Sequence, residues 1–315
     1  MRRLARPPAQ LPILQRMNKR IADWMAGQDS EPGDGNWSDP AVRGALLAMH
    51  GFACAYCQHA LPYDHPGDVE HFRPKSIYPW LKYAYDNYFL SCNTCNSGRK
   101  RTEFPLARGV PASYPARDRL PDEERLLLDP CLDPVDSVVK VDTDDLTFPA
   151  RAVRGAGQPY ERRAEATVGF FEFDSLVYRK PRKNSLLAAL RRLNSVDQGD
   201  ESEQLELRKS ASRYQPHGQA IRDLVGKYRP DLLPGADEEL TWFVAELLED
   251  FAAIRQDIAT ARPELVQIYT RLGQRLCYAL AVLWKYPPAL SSEAIRDMVE
   301  RAGALASVEI LHQKI

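Results

Sequence analysis

Four cysteines in two CxxC pairs are the residues of this 315-residue chain with the clearest chemical spacing. Cys54 and Cys57 form the first pair and Cys92 and Cys95 the second, with 34 residues between Cys57 and Cys92. Two such pairs supply four thiolates, the ligand set that usually holds a tetrahedral zinc ion. The gap is longer than a simple zinc ribbon needs, so we expect a folded insert between the two knuckles. We therefore predict a structural zinc site; the alternative is four unrelated free thiols.

An acid–histidine doublet, Glu70–His71, lies inside this insert together with Asn87, and Asn96 directly follows the last paired cysteine. A histidine beside a carboxylate can be a metal-binding pair, a general base next to a metal ligand, or an unrelated surface pair. Residues 69–72 are predicted to form a short strand that carries the doublet. The grouping of these polar residues around the CxxC pairs favours a catalytic site.

Basic residues are concentrated around the doublet. Residues 72–102 contain six basic residues and a single acid, Asp86, whereas the whole chain has a net charge of −1. A local excess of positive charge beside a metal site favours a polyanionic substrate such as a nucleic acid. Four of these residues are candidate phosphate contacts, with solvated surface charge as the alternative: Arg73, Lys75, Arg99 and Lys100.

Together these motifs resemble the HNH endonucleases of the ββα-metal superfamily, in the variant whose hairpin and helix are clamped by a four-cysteine zinc. The resemblance rests on C-A-Y-C, E-H-F-R-P-K and S-C-N-T-C-N within residues 54–96. F-P-L at 104–106 and L-L-L-D-P at 126–130 are similar to a subgroup from retron and Septu-type anti-phage systems. The strong resemblance covers residues 37–130 and extends weakly to 194, while the C-terminal helices resemble no family we can name.

The resemblance implies a role for each residue of the site. His71 would be the general base that takes a proton from the attacking water. Asn87 would orient His71 by hydrogen bonding. Glu70 and Asn96 would supply oxygen ligands to one Mg²⁺ or Mn²⁺ ion, which would polarise the scissile phosphate.

The resemblance also implies a reaction and a partner. The reaction is hydrolysis of phosphodiester bonds in DNA, leaving 5′-phosphate and 3′-hydroxyl ends, and the nucleases of this subgroup work beside an ABC/OLD-like ATPase. The family often continues C-N-x-x-K, and this chain has Arg99 at the lysine position with Lys100 next to it. Two other functions stay open: an RNA nuclease with the same site, acting for example on tRNA, and a non-catalytic zinc module that binds nucleic acid or a protein partner.

The elements that must position these residues are mostly helical. Apolar residues at helical spacing predict helices over residues 13–26, 40–50, 161–172, 182–194, 243–258, 265–283 and 291–299. Ser38-Asp39-Pro40 is a strong helix start, because it places a capping side chain before a first-turn proline. Residues 138–141 and 146–148 suggest a short hairpin. The Pro- and Arg-rich stretch 104–125 is predicted to be an exposed connector.

We therefore predict an α+β, mostly α-helical protein in which a ββα-metal HNH core is clamped by a zinc ion on four cysteines. Flanking helices and a C-terminal helical region would surround this core. The predicted division of the chain is an N-terminal helical segment (1–50), a nuclease core with the zinc knuckles (51–130), a hairpin and helices packed on the core (131–195), and a C-terminal helical domain (196–315).

Composition narrows the class of protein. The chain is 44% hydrophobic with a pI near 6.6, so nucleic-acid binding would have to come from a local patch. No apolar run approaches the roughly 18 residues that a bilayer span needs, and the basic N-terminus has no apolar signal region. We expect a soluble, cytoplasmic protein without membrane contact, in which paired cysteines hold metal rather than form disulfides.

Overall fold

A computed structural model describes residues 1–61, 67–108, 124–145 and 147–286, together with the single positions 111 and 297. It confirms a mostly helical α+β protein with a four-cysteine cluster. Its described helices are α1 (Pro12–Met25), α2 (Pro40–His50), α3 (Val135–Val138), α4 (Tyr160–Phe171), α5 (Leu176–Asp197), α6 (Glu201–Ser210), α7 (Gly218–Tyr228), α8 (Ala236–Thr260) and α9 (Pro263–Lys285). Its described strands are β1 (Asp68–His71), β2 (Tyr88–Ser91), β3 (Val139–Val141) and β4 (Ala150–Ala152).

The hairpin of β1 and β2 carries the predicted site. The two strands are antiparallel, and their register pairs Asp68 with Ser91 and His71 with Tyr88. The chain then passes into a wide helical turn, Thr94–Lys100, in which the amide of Gly98 donates to the carbonyl of Asn93 five residues earlier at 2.9 Å. Wide turns of this π type occur often at functional sites. The order is therefore strand, strand, helical turn.

Helix α2 ends shortly before the first CxxC pair. Asp39 caps the helix by accepting from the amide of Ala41 at 2.8 Å, and Pro40 occupies the first turn, as the sequence predicts. Gly51 ends the helix at a φ of 59°, where a Cβ would lie 2.6 Å from the carbonyl oxygen of Tyr214. Only glycine fits this close approach, so the exit from α2 towards Cys54 is sharply defined.

The main hydrophobic core joins the site to the C-terminal helices. Buried residues of α2, β2, α8 and α9 belong to one cluster, and α2 packs closely along α9. A Cβ on Gly44 of α2 would lie 2.4 Å from the Cβ of Tyr278 on α9, so the two backbones approach as closely as glycine allows. A second cluster is built from α5, α6 and α7. Helices α8 and α9 share the main core with the β1–β2 hairpin. The predicted division of the chain into four segments stays a proposal.

The predicted elements that the structure describes agree with it except at the second hairpin, whereas α3, α6 and α7 were not predicted as individual helices. The second strand of this hairpin is β4 rather than residues 146–148. It pairs with β3, and Ala152 lies opposite Val139. Asp145 accepts from the amide of Thr147 at 2.8 Å and Phe148 has a φ of 48°, so the turn continues past the predicted strand. Leu146, the helix predicted over 291–299 (apart from position 297) and most of the connector lie outside the described residues. Among the helices that the structure describes, none is both long and apolar enough for a bilayer span.

Candidate active site and metal centre

The four paired cysteines converge, as the sequence predicts. Their Sγ atoms all lie within 4.8 Å of one another, and those of Cys57 and Cys92 are 3.6 Å apart. A tetrahedral zinc with Zn–S bonds of about 2.3 Å would place its sulfurs about 3.8 Å apart. Sulfur donors of this number and spacing fit zinc in a closed, structural coordination shell.

Hydrogen-bond donors surround the sulfurs. The amide of Cys92 donates to Cys54 Sγ and that of His59 to Cys57 Sγ, both at 3.4 Å. The hydroxyl of Tyr178, on α5, lies 3.4 Å from Cys95 Sγ. Such contacts orient thiolate ligands and offset their charge. Nothing in the sequence singled out Tyr178, because an isolated tyrosine in a helix carries no spacing signal.

His71 sits at the end of β1 with its ring held on three sides. Its Nε2 lies 3.0 Å from the carbonyl oxygen of Lys82, and the rings of Trp37 and Tyr88 meet it edge-on at 5.0 Å between centroids. A carbonyl can only accept, so Nε2 carries the proton and Nδ1 keeps the lone pair. Burial lowers the pKa of His71 to about 4. The imidazole is therefore neutral at pH 7, as a general base must be.

Asn87 holds the loop that anchors His71, and not the ring itself. Its Oδ1 accepts from the amide of Arg73 at 2.8 Å, and its Nδ2 donates to the carbonyl of Arg73 at 2.9 Å. The prediction that Asn87 orients His71 by hydrogen bonding stays a proposal, and the hydrogen bonds that Asn87 makes here are to Arg73 rather than to the ring of His71. The loop from Arg73 ends at Lys82, whose carbonyl fixes the imidazole, so Asn87 acts on His71 through the backbone.

We expect Asn87→Ala to lower the free energy of unfolding by about 3 kcal/mol, because both backbone groups of Arg73 lose their buried partner. Urea denaturation followed by circular dichroism measures this change. Asn93→Ala is the matched control, since Asn93 is exposed in the same segment and its loss should cost under about 0.5 kcal/mol. Equal costs for the two variants would show that Asn87 does not hold the loop.

Glu70 forms a buried ion pair with Lys100. The carboxylate is 3% exposed and the ammonium 0%, and Nζ lies 2.7 Å from Oε1. Lys100 Nζ also donates to the carbonyl of His71 at 2.9 Å. Burial raises the pKa of Glu70 and lowers that of Lys100, and the pairing opposes both shifts. Lys100 is fully buried and so has no exposed surface that could contact a phosphate. The predicted phosphate contact is therefore corrected: Lys100 is the ion-pair partner of Glu70.

The other predicted phosphate contacts lie in different environments. Arg73 is 9% exposed, with its guanidinium 5.2 Å from the ring centre of Phe104. Lys75 Nζ lies 4.5 Å from the ring centre of Trp37 and pairs with Asp34. Lys75 and Arg99 both reach the surface, whereas Arg73 is packed among aromatic rings.

The last predicted ligand, Asn96, lies half-buried in the wide helical turn that connects the two halves of the site. Its backbone amide donates to the carbonyl of Cys92 at 2.9 Å, and its carbonyl accepts from the amide of Arg101 at 2.7 Å. One turn therefore carries Cys95 of the metal cluster, Asn96 and the Lys100 that meets Glu70.

We expect Lys100→Met to lower the free energy of unfolding by about 3–5 kcal/mol, because Glu70 would become a buried carboxylate without its counter-charge. Arg99→Met is the matched control. Arg99 pairs with Glu172 at 2.6 Å nearer the surface, where such pairs contribute about 1 kcal/mol or less. Denaturation in urea measures both variants, and Glu70→Gln combined with Lys100→Met should recover much of the loss. A Lys100 variant as stable as the Arg99 variant would contradict the pairing.

Comparison with known proteins finds two partial similarities. The chain is 29% identical over 134 residues to Septu protein PtuB of Bacillus mycoides (strain KBAB4), which covers 38% of this chain and 45% of that protein. It is 39% identical over 71 residues to Septu protein PtuB of Bacillus thuringiensis, covering 22% and 27% of the two chains. The matched stretches thus span less than half the length of either relative. This partial similarity supports a relation to Septu-type proteins. No family model matches the chain, and no solved structure matches it.

Proposed function

We propose that this chain is a metal-dependent HNH-type endonuclease that hydrolyses phosphodiester bonds of DNA as an effector of anti-phage defence. The observation that carries the proposal is His71, a buried neutral imidazole whose Nε2–H is held by a backbone carbonyl beside Glu70. Similarity to Septu protein PtuB supports a defence role. The nuclease activity follows from the resemblance of the motifs and from the chemistry of this histidine.

His71 would take the proton of the attacking water at Nδ1. The Lys82 carbonyl and the two aromatic edges fix the plane of the ring, so the lone pair keeps one direction. With a pKa of about 4, the free imidazole is a weak base that is always unprotonated near pH 7. A phosphate anion beside the ring would raise this pKa and favour proton uptake once substrate is bound.

Glu70 and Asn96 would hold the catalytic ion. Lys100 contacts Oε1 of Glu70, so Oε2 would be the carboxylate oxygen that coordinates the ion. Asn96 would add its side-chain amide oxygen as a second ligand. Hard oxygen donors of this kind suit Mg²⁺ or Mn²⁺ better than zinc. When bound, the ion would polarise the scissile phosphate and stabilise the leaving 3′ oxygen. Lys75 and Arg99 would meet flanking phosphates at the surface.

The test is digestion of labelled DNA and RNA by the full chain, with and without Mg²⁺ or Mn²⁺. We expect cation-dependent cleavage of DNA that leaves 5′-phosphate ends. Cleavage of RNA alone would favour the RNA nuclease. Tightly held zinc with no cleavage of either substrate, even beside its protein partner, would favour the non-catalytic zinc module.

The partner that we propose is an ABC/OLD-like ATPase, as in the systems that the motifs resemble. The partial similarity to Septu protein PtuB is consistent with membership in such a defence system. Exposed apolar side chains on α9, Leu265 at 38% and Ile268 at 55% exposure, are candidate contacts. Co-purification of the full chain with the product of an adjacent gene tests this partner.

A further inference from the structure

A cavity of about 380 Å³ opens where the first turn of α2 meets α9. It is lined mostly by polar residues from two distant parts of the chain, and three of them are arginines. The lining residues in the described ranges are Gly35, Asn36, Ser38, Asp39, Pro40, Arg43, Arg271 and Arg275.

The three arginines form no ion pair within the described part of the chain. Arg43 donates from Nη1 to the carbonyl of Gly67 at 2.7 Å, and its Nε is buried without a partner, as is the Nε of Arg275. Among the lining residues that the structure describes, Asp39 is the single acid, and its carboxylate already caps α2. Burial, together with the positive charges of Arg43 and Arg271, lowers the pKa of Arg275 to about 10. Three clustered cations facing one cavity make a site for an anion.

The cluster is built by the fold. Arg271 and Arg275 are four residues apart on α9 and so share one face of the helix. Arg43 precedes Gly44, whose missing side chain lets α2 and α9 touch: a Cβ there would also lie 2.7 Å from the carbonyl of Arg275. The tight crossing of the two helices therefore holds the three guanidinium groups together.

One arginine of the cluster contacts the chain just before the hairpin that carries the proposed catalytic base. Arg43 binds the carbonyl of Gly67, immediately before β1, while His71 is the last residue of β1. Four residues of strand span about 13 Å, the length of about four base pairs along a duplex. Trp37, in the turn Asn36–Ser38 that lines the cavity, packs its ring against His71. One short segment thus borders both the cavity and the catalytic histidine.

We infer that Arg43, Arg271 and Arg275 bind the phosphodiester backbone of a nucleic acid about four nucleotides from the scissile phosphate. This inference rests on the proposed function and extends it, because two of the three contacts come from α9, outside the part of the chain that resembles HNH nucleases. Planar guanidinium groups suit phosphate oxygens, to which they can donate two parallel hydrogen bonds. The surface would position the strand and would read no bases.

Binding of a fluorescent duplex of about 30 base pairs, measured by anisotropy at several salt concentrations, tests the surface. All proteins carry His71→Ala so that the substrate stays intact. We expect Arg271→Ala with Arg275→Gln to weaken binding by about tenfold and to reduce the slope of log K against log salt by about 1–2, one phosphate being worth about 0.9. Arg262→Ala, an exposed arginine at the start of α9, is the matched control and should change neither quantity by comparable amounts.

The outcomes separate this surface from the proposed activity. The double variant could have the same affinity and salt slope as the Arg262 control while the wild-type chain binds and cuts nucleic acid. That result would overturn the arginine surface but not the nuclease. Arginine-dependent binding without cleavage by the His71-containing chain would keep the surface and remove the nuclease. No binding by any form would overturn the surface as well. Competition by inorganic phosphate as effective as by duplex would mean that a free anion is the ligand. Arg271 is exposed, so Arg271→Ala alone keeps the test usable if the double variant melts early.

Discussion

His71→Ala is expected to reduce cleavage of nucleic acid by about a hundred- to ten-thousandfold, the range that a general base contributes. The Nε2–H bond to the Lys82 carbonyl leaves Nδ1 as the nitrogen that can accept a proton, and alanine has no replacement for it. Initial rates under saturating Mg²⁺ measure the effect. His71→Gly should regain part of its rate when imidazole is added, whereas a merely structural histidine would not be rescued in this way. Cleavage by His71→Ala at the wild-type rate would refute this role.

The depressed pKa of His71 also sets a pH dependence of stability. Burial lowers this pKa to about 4, whereas an unfolded histidine titrates near 6.5. Between these values the unfolded chain binds more protons, so the folded state loses stability as pH falls from about 6.5 towards 4. At 1.36 kcal/mol for each pKa unit, the loss approaches about 3 kcal/mol. Denaturation of wild type and His71→Gln across this range should show a steeper decline in the wild type.

Cys92→Ser is expected to remove bound zinc and to prevent stable folding, because zinc held by four thiolates contributes about 10–16 kcal/mol to the folding of small domains. Metal analysis of the wild type should find about one zinc per chain. Cys131→Ser is the matched control: Cys131 is half-buried, outside the cluster, with its Sγ 3.9 Å from the sulfur of Met49. We expect this control to keep its zinc and nearly all of its thermal stability.

Two results would contradict the zinc assignment. One is a wild-type protein that is folded and active without zinc after purification under reducing conditions. The other is a Cys92→Ser variant that melts at the temperature of the Cys131 control. The cluster joins the turn after α2 to the end of β2, so its loss should also release the hairpin that carries His71.

The sequence alone was sufficient to predict helices whose apolar residues repeat at short range. The helix predicted over 161–172 is α4, and the stripes beginning at Phe243 and Leu265 lie in α8 and α9. Apolar spacing alone identifies such helices because their core face repeats every 3.6 residues. The strand predicted over 146–148 was misplaced because an aspartate-capped turn and a positive φ at Phe148, both local but invisible as hydrophobic pattern, extend the loop.

The sequence by itself determined the chemistry available to this protein: four thiols in two CxxC pairs, and a Glu–His doublet with its asparagines in a basic stretch. Residue types and spacing carry that information because a CxxC turn places two sulfurs together wherever it occurs. The tertiary structure alone decided which charges are buried and which face solvent. It turned Lys100 from a phosphate contact into the partner of Glu70, and gave His71 its anchor on Lys82. It also brought Arg43 to two arginines of α9, since contacts across more than 200 residues depend on helix packing that no local pattern encodes.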